Sequence, residues 1–391
     1  MAATHPFNRH RRIDIVVALT LFLDMVMYSI VIPILPAQAK IYGAEEGMVG
    51  LLFAMYALTL SIAAPFSGRL ADTIGRRIPT IAGLTLLILG TLLYAVAESY
   101  WLLFAARALQ GVAAAASWSA GLALAADVHP PNERGGVLGA LFSVASFGFL
   151  IGPLLGAWLY DLGGYSFPFY TLIAALTLNL FVWIVFIREP RREIQHSPSL
   201  RPLLRDRRGF SLLVMVAGGT AMIAMVEPTL PLFVSDVFNA TPADIAWLFA
   251  VVSICTTIVN PLAGKLSDKL DRNRIIIIGA VGSIAVYPFI ALEASLLHSG
   301  IVLALFGIVF AMFFAPTLPA LTDIADIHNI GYAGAFAAFN VAYAAGTWIG
   351  PLIGGYLMQW FSFSWGLNFM ALAAALSTVF YIWSVRSQTK V

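Results

Sequence analysis

Twelve long apolar runs, an internal duplication and a one-sided distribution of arginines predict an all-α membrane protein built from two pseudo-symmetric six-helix halves. Of the 391 residues, 60% are apolar and only 11% are charged, whereas a soluble domain carries roughly 25% charged residues. A spanning helix needs about 20 mainly apolar residues. Runs near that length occupy 15–36, 47–67, 78–97, 100–126, 136–160, 166–187, 209–236, 245–263, 275–293, 299–322, 332–359 and 363–385, here numbered spans 1 to 12. They are continuous, without the short alternating segments of a β-barrel, so the pattern is helical.

The halves echo each other. IPILP (32–36) matches EPTLP (227–231) at an offset of 195, GRLADTIGRR (68–77) matches GKLSDKLDRNR (264–274) at 196, and IGPLLG (151–156) matches IGPLIG (349–354) at 198. Three landmarks in order at nearly one period argue for duplication. The expected division is 1–187, a basic linker 188–208, and 209–391. Lys and Arg concentrate on one side of a membrane, the cytoplasmic side. With the N-terminus placed there, the inner segments hold Arg9, Arg11, Arg12, Arg69, Arg76, Arg77, Arg134, Lys265, Lys269, Arg272, Arg274, Arg386 and Lys390. The linker adds Arg188, Arg191, Arg192, Arg201, Arg205, Arg207 and Arg208, while the outer loops keep only Lys40. Both termini are therefore expected in the cytoplasm.

Taken in order, the spans carry few polar groups, and each asks for a reason. Span 1 places Asp24 inside FLDMVMYSIVIPILP, with Tyr28 one turn on. An acid at this depth is expensive and marks a functional site by default. Span 2 contributes Tyr56. The loop after it, GRLADTIGRR, has Gly68 and Gly75 for a tight turn and close backbone approach. Its Asp72 is placed to meet an arginine or a helix N-terminus, and Arg76 and Arg77 to meet acids or lipid phosphates. Asp268 occupies the matching place in the second half, which makes this loop a lock shared by both halves. The next inner loop adds Asp127, Glu133 and Arg134 to the same expected charge network. In span 4, Arg107 sits about two turns into the bilayer, where insertion scales assign about 2.5–3.5 kcal/mol at helix centre. It cannot shed its proton, and Asp24 is its expected partner by depth.

Span 5 holds Gly148, Gly152 and Gly156 on one face, a stripe against which another helix can pack closely. Pro153 within it removes a backbone donor and bends the helix. Span 7 carries Glu227, the second buried acid. By the repeat it matches Ile32 in depth, eight residues or about 12 Å along a helix from Asp24. The two acids are therefore not expected to clamp one ammonium group. Asn260, Asn340 and Tyr343 complete the polar groups that could line a cavity. Cys255 is the only cysteine, so no intrachain disulfide forms. No Ser/His pair, paired aspartates or metal-spaced histidines occur, so neither an enzyme nor a metal site is expected.

At these residues the chain resembles the major facilitator superfamily. GRLADTIGRR is similar to its loop between spans 2 and 3, and RALQG to its span 4 motif. G-x8-G-x3-G-P-x2-G, from Gly139 to Gly156, is similar to the motif of its drug:proton antiporters. VGLLFAMYAL, FAARALQG, ERGGVLG, EPTLPLF and IGPLIGG resemble the vesicular monoamine and acetylcholine transporters and their bacterial relatives. The resemblance implies that Asp24 is the amine-binding aspartate and Glu227 the span 7 glutamate of that group. Three of its charges are missing. Tyr56 and Asn340 stand where it has a paired lysine and aspartate, and Phe314 stands near its span 10 aspartate.

The expected function is a monomeric, proton-coupled antiporter of the cell membrane that exports amines or lipophilic cations. The proton gradient would be its energy source, with no cofactor and no nucleic-acid partner. The alternative is a proton-coupled exporter of neutral metabolites or sugars.

Overall fold

A computed structural model describes residues 6–187, 201–328 and 330–388. Arg188, Arg191, Arg192 and Lys390 lie outside the described residues, as do the side chains of Arg9 and Arg201. Among the described residues every regular element is a helix, and twelve candidate spans are long and apolar enough to cross a membrane. Span 1 is helix Pro6–Ile30, span 2 Glu46–Ile74, span 3 Arg77–Ala95, span 4 Tyr100–Asp127, span 5 Pro131–Gly163 and span 6 Phe167–Phe186. Span 7 is Arg207–Phe238, span 8 Pro242–Lys269, span 11 Gly331–Trp360 and span 12 Phe363–Gln388.

Three spans are less regular than their apolar runs suggest, and proline is the reason. Span 1 stops at Ile30 and resumes as a short helix, Leu35–Ile41. Pro33 can neither donate to the carbonyl of Ser29 nor tolerate it at helical distance. The chain answers with tighter bonds, Ile32 N–H to Ser29 O at 3.1 Å and Ile34 N–H to Val31 O at 3.2 Å. The matching prolines of span 7, Pro228 and Pro231, lie inside an unbroken helix. Span 9 is helix Arg272–Val286 continued by a 3-10 turn, Tyr287–Ala291, where Pro288 falls. Span 10 is split into Leu296–Phe314 and Thr317–Ile327 around Pro316.

The duplication extends to the packing itself. In the first half the span 5 stripe lies on span 1. A methyl group on Gly148 would stand 2.6 Å from the Phe22 carbonyl oxygen, one on Gly152 2.9 Å from that of Val26, and one on Gly156 2.9 Å from that of Ile30. In the second half span 11 repeats this on span 7. Gly346 meets the Ala217 carbonyl at 2.3 Å, Gly350 that of Ala221 at 2.3 Å, and Gly354 the side chain of Met225. Each contact is displaced by 198 on one helix and 195 on the other, the offsets read from the sequence landmarks. Spans 2 and 4 do the same: Gly111 lies on the Tyr56 carbonyl and Gly307 on that of Val252, both residues shifted by 196.

The compact units are residues 1–43 with 55–194, and residues 44–54 with 195–391. The difference from the expected division is the first part of span 2. Within the second unit, Gly50 leaves room for span 11, and a methyl there would lie 2.3 Å from the Pro351 carbonyl oxygen. Gly47 N–H donates to Gln359 Oε1 at 3.1 Å, and Gln359 Nε2 donates to Glu45.

Candidate functional site

The first half contains a buried polar core. Asp24 is 1% exposed. Its Oδ2 accepts a hydrogen bond from Trp118 Nε1 of span 4 at 2.7 Å, and its Oδ1 is buried without a hydrogen-bond partner among the described residues. The glycine stripe explains why the carboxylate faces span 4. Span 5 sits directly on the backbone of residues 22–30, which leaves Asp24 turned away from that contact.

Arg107 is fully buried but does not pair with Asp24, which makes no ion pair among the described residues. Its Nη1 donates to Gln110 Oε1 at 3.1 Å, and the same oxygen accepts from Tyr94 Oη at 3.1 Å. The guanidinium carbon lies 5.4 Å from the centre of the Tyr28 ring and 5.8 Å from that of Tyr56, two rings that are themselves 4.7 Å apart. An amide oxygen and two electron-rich ring faces seat this cation. Tyr56 of span 2 offers a ring face to the guanidinium, where a cationic side chain would repel it.

In the second half Glu227 is 7% exposed, within span 7. Pro231 cannot donate to the Glu227 backbone carbonyl, so the helix is locally relieved of one bond beside the acid. Tyr343 of span 11 is within electrostatic range of the carboxylate, and its ring stacks with Phe339 and approaches Phe314 at 6.0 Å. Asn340 and Asn260 are exposed. The Asn340 amide donates to the Phe336 carbonyl of its own helix, and neither asparagine hydrogen-bonds to Glu227. The expected 12 Å separation in depth assumed a helix continuous through Ile32, and span 1 is not helical there.

At the arginine-rich ends the two locks have one geometry. Arg76 donates through Nη1 to Asp72 at 2.6 Å and through Nε to Asp127 at 3.2 Å. Arg272 pairs with Asp268 at 3.0 Å and with Asp323. All three members are displaced by 196. Several expectations need correction here. Glu133 makes no ion pair among the described residues, and Arg134 donates to the His129 carbonyl at 3.1 Å instead of joining the acids. Arg77 makes no ion pair with an acid among the described residues but donates to the Ile184 carbonyl at 2.6 Å. That carbonyl is one of the last four of span 6, which have no partner inside the helix. Gly75 is the turn residue, with φ +102°. Gly68 is mid-helix, and a methyl added there would meet nothing within 4 Å, so it serves neither turn nor close approach.

Sequence reasoning passed over Trp118, Gln110, Tyr94 and Asp323. Asp323 was accessible, because it is Asp127 displaced by the same 196. Gln110 was accessible too, three residues from Arg107 on one helix face. Nothing local points to Trp118, 94 residues from the acid it contacts.

A duplicated helical scaffold with a buried acid and a charge lock in each half defines a multi-pass membrane carrier. The sequence profile of the Major Facilitator Superfamily matches residues 17–226 and 210–391, and the chain belongs to that family of non-enzymatic carriers. It is 30% identical over 352 residues to the human synaptic vesicular amine transporter, covering 86% of this chain and 66% of the relative. It is 27% identical over 425 residues to the vesicular acetylcholine transporter of Drosophila melanogaster, covering 96% of this chain and 71% of the relative. The chain thus spans just under two thirds of the length of the amine transporters it matches. In fold it is similar to the crystal structure of a bacterial homolog of the human lysosomal transporter Spinster, with a TM-score of 0.84, 14% identity and 98% of each chain covered.

Proposed function

We propose that the chain is a proton-coupled antiporter that exports amines or lipophilic cations. Asp24 and Glu227 hold the cation when ionised and release it when protonated. A carboxylate that carries a proton no longer neutralises a cation, and this exclusion produces exchange. Alternating access through rocking of two duplicated halves around a central site accords with the repeat. The arginine distribution accords with cytoplasmic termini and the short loops with a place in the cell membrane, with protons, a small cation and lipid as its partners.

One observation carries this reading: Asp24 is an acid that the scaffold does not need. The backbone contacts of span 1 recur in span 7, yet the position matching Asp24 is Gly219. The positions matching Tyr28, Tyr56, Arg107 and Gln110 are Ile223, Val252, Leu303 and Phe306. The second half folds on the same plan with apolar side chains there. A buried carboxylate retained against a desolvation cost in one half only has a use other than packing. Related carriers are named for amines and acetylcholine, which suits an organic cation.

The test is uptake of a radiolabelled aromatic amine into proteoliposomes driven by an imposed proton gradient. The wild-type protein accumulates the amine, and Asp24→Asn does not. Accumulation by Asp24→Asn against a gradient, or accumulation by wild type of neutral sugars instead of amines, would refute the scheme.

A further inference from the structure

We propose that Trp118 is a positioning residue for the cation site: its indole N–H occupies one oxygen of Asp24, so that a proton and an ammonium N–H compete for the single oxygen left. This deepens the antiport reading and rests on it. An ionised carboxylate has two oxygens and about four acceptor sites. With both oxygens open, a buried aspartate could hold a proton on one and an ammonium N–H on the other, and the two ligands would not exclude each other. Here Oδ2 is taken by Trp118 at 2.7 Å and Oδ1 is buried and unpartnered. An oxygen in that condition is unfavourable until something donates to it. The substrate class that satisfies it is an ammonium with at least one N–H, in preference to a quaternary ammonium.

Trp118 is held for this task. Its ring lies 5.9 Å from that of Phe142 on span 5, so the indole also packs against span 5. Its match in the second half by the repeat is Phe314, which has no N–H, and the match of Asp24 is Gly219, which has no carboxylate. Donor and acceptor are therefore both confined to the first half, as a functional pair requires.

Few other ionisable groups bear on Asp24 within its half. Arg107 on span 4 and Tyr28 on span 1 are the nearest in register, with Tyr56 of span 2 against both. Span 5 carries none between Gly139 and Gly156, and span 6 carries only Tyr170. Asp14 lies ten residues back on span 1, about 15 Å along the helix, and is occupied with His129 at 3.3 Å.

The experiment follows the indole N–H of Trp118 by NMR in 15N-tryptophan-labelled protein, with its resonance assigned by loss in Trp118→Phe. In wild type the resonance should shift in a single step with pH, and the step should vanish in Asp24→Asn. Saturating phenethylammonium should move the step to lower pH, because it competes with the proton for Oδ1. Its N-trimethyl analogue should move it at least tenfold less effectively in concentration. In Trp118→Phe, amine binding should need a pH about one to two units higher, the effect of losing a hydrogen bond to the charged form. A resonance without a pH step, or one that persists in Asp24→Asn, overturns the proposal. So does an amine that binds and leaves the step in place. If no amine binds at all, the antiport reading fails on that arm, while the pH step and its loss in Asp24→Asn still decide whether Trp118 governs the carboxylate.

Discussion

Gly350→Ala and Gly68→Ala are the same substitution in two helices, and the structure gives them opposite signs. Gly350 is in span 11 against span 7. Its new methyl would lie 2.3 Å from the Ala221 carbonyl oxygen and 2.9 Å from that residue's carbonyl carbon and Cα. Ordinary contact begins near 3.4 Å, so the helices must part by about 1 Å along that direction, and every obstructing atom is backbone. A gap of 0.5–1 Å forfeits roughly a quarter to a half of the dispersion energy of each contact across it. Overpacking of this kind costs about 1–3 kcal/mol, and the rigid obstruction puts Gly350→Ala in the upper part of that range, near 3 kcal/mol. Gly68 is mid-helix in span 2 with nothing within 4 Å of the added methyl. There the substitution removes only backbone freedom from the unfolded chain and stabilises by about 0.5–1 kcal/mol. Unfolding of purified protein in mixed SDS and mild-detergent micelles, followed by tryptophan fluorescence, measures both. A Gly350→Ala protein as stable as wild type, or a Gly68→Ala protein less stable, would refute the account of which glycines are contacts.

Four further outcomes follow from the same geometry. Gly152→Ala should be milder than Gly350→Ala in the same micelle assay, because its nearest obstruction at 2.0 Å is the Ser29 hydroxyl, which can rotate, and the carbonyl of Val26 is further off. Asp206 caps span 7 by accepting from the N–H groups of Arg208 and Gly209 and lies 3.1 Å from His328, so Asp206→Ala should lose about 1 kcal/mol. Burial raises the Asp206 carboxyl, but the bonds from Gly209, His328 and Arg208 outweigh it and hold it below its ordinary value of 3.8. Its stabilisation is therefore fully present above pH 3.8 and fades as pH falls further, so wild type and variant should converge in acid, as denaturation curves at pH 3 and 6 would show. Asp323→Asn and Asp127→Asn should each slow amine transport in proteoliposomes while leaving amine affinity within about threefold, since both loosen a lock remote from the acids.

The scaffold was legible because its signals are local. Span length follows from bilayer thickness, and the repeat from three short strings whose offsets the glycine contacts reproduce. The acids were legible for a related reason, since any carboxylate in an apolar run stands out. The seat of Arg107 was not. Depth along the helices nominated Asp24, but Asp24 is met by Trp118, eleven residues from Arg107 and about 16 Å further along span 4. Arg107 lies instead against Tyr28, one turn on from Asp24 in span 1, and Tyr56 of span 2. Span ends failed where proline intervened: hydropathy sees 15–36 as one run, while the missing N–H of Pro33 ends the helix at Ile30. Hydropathy does not see why Pro228 and Pro231 leave span 7 whole.

By itself the sequence determined the number of spans, the duplication and the two acids worth asking about. Each depends on composition and order along one chain segment. Only the tertiary structure decided that Trp118 is the partner of Asp24 and that Arg107 rests on the rings of Tyr28 and Tyr56. These are pairings between helices. A span that is apolar on every side has no polar stripe to reveal its orientation, so its neighbours are chosen by close packing against glycine, and that choice exists only when the helices are assembled.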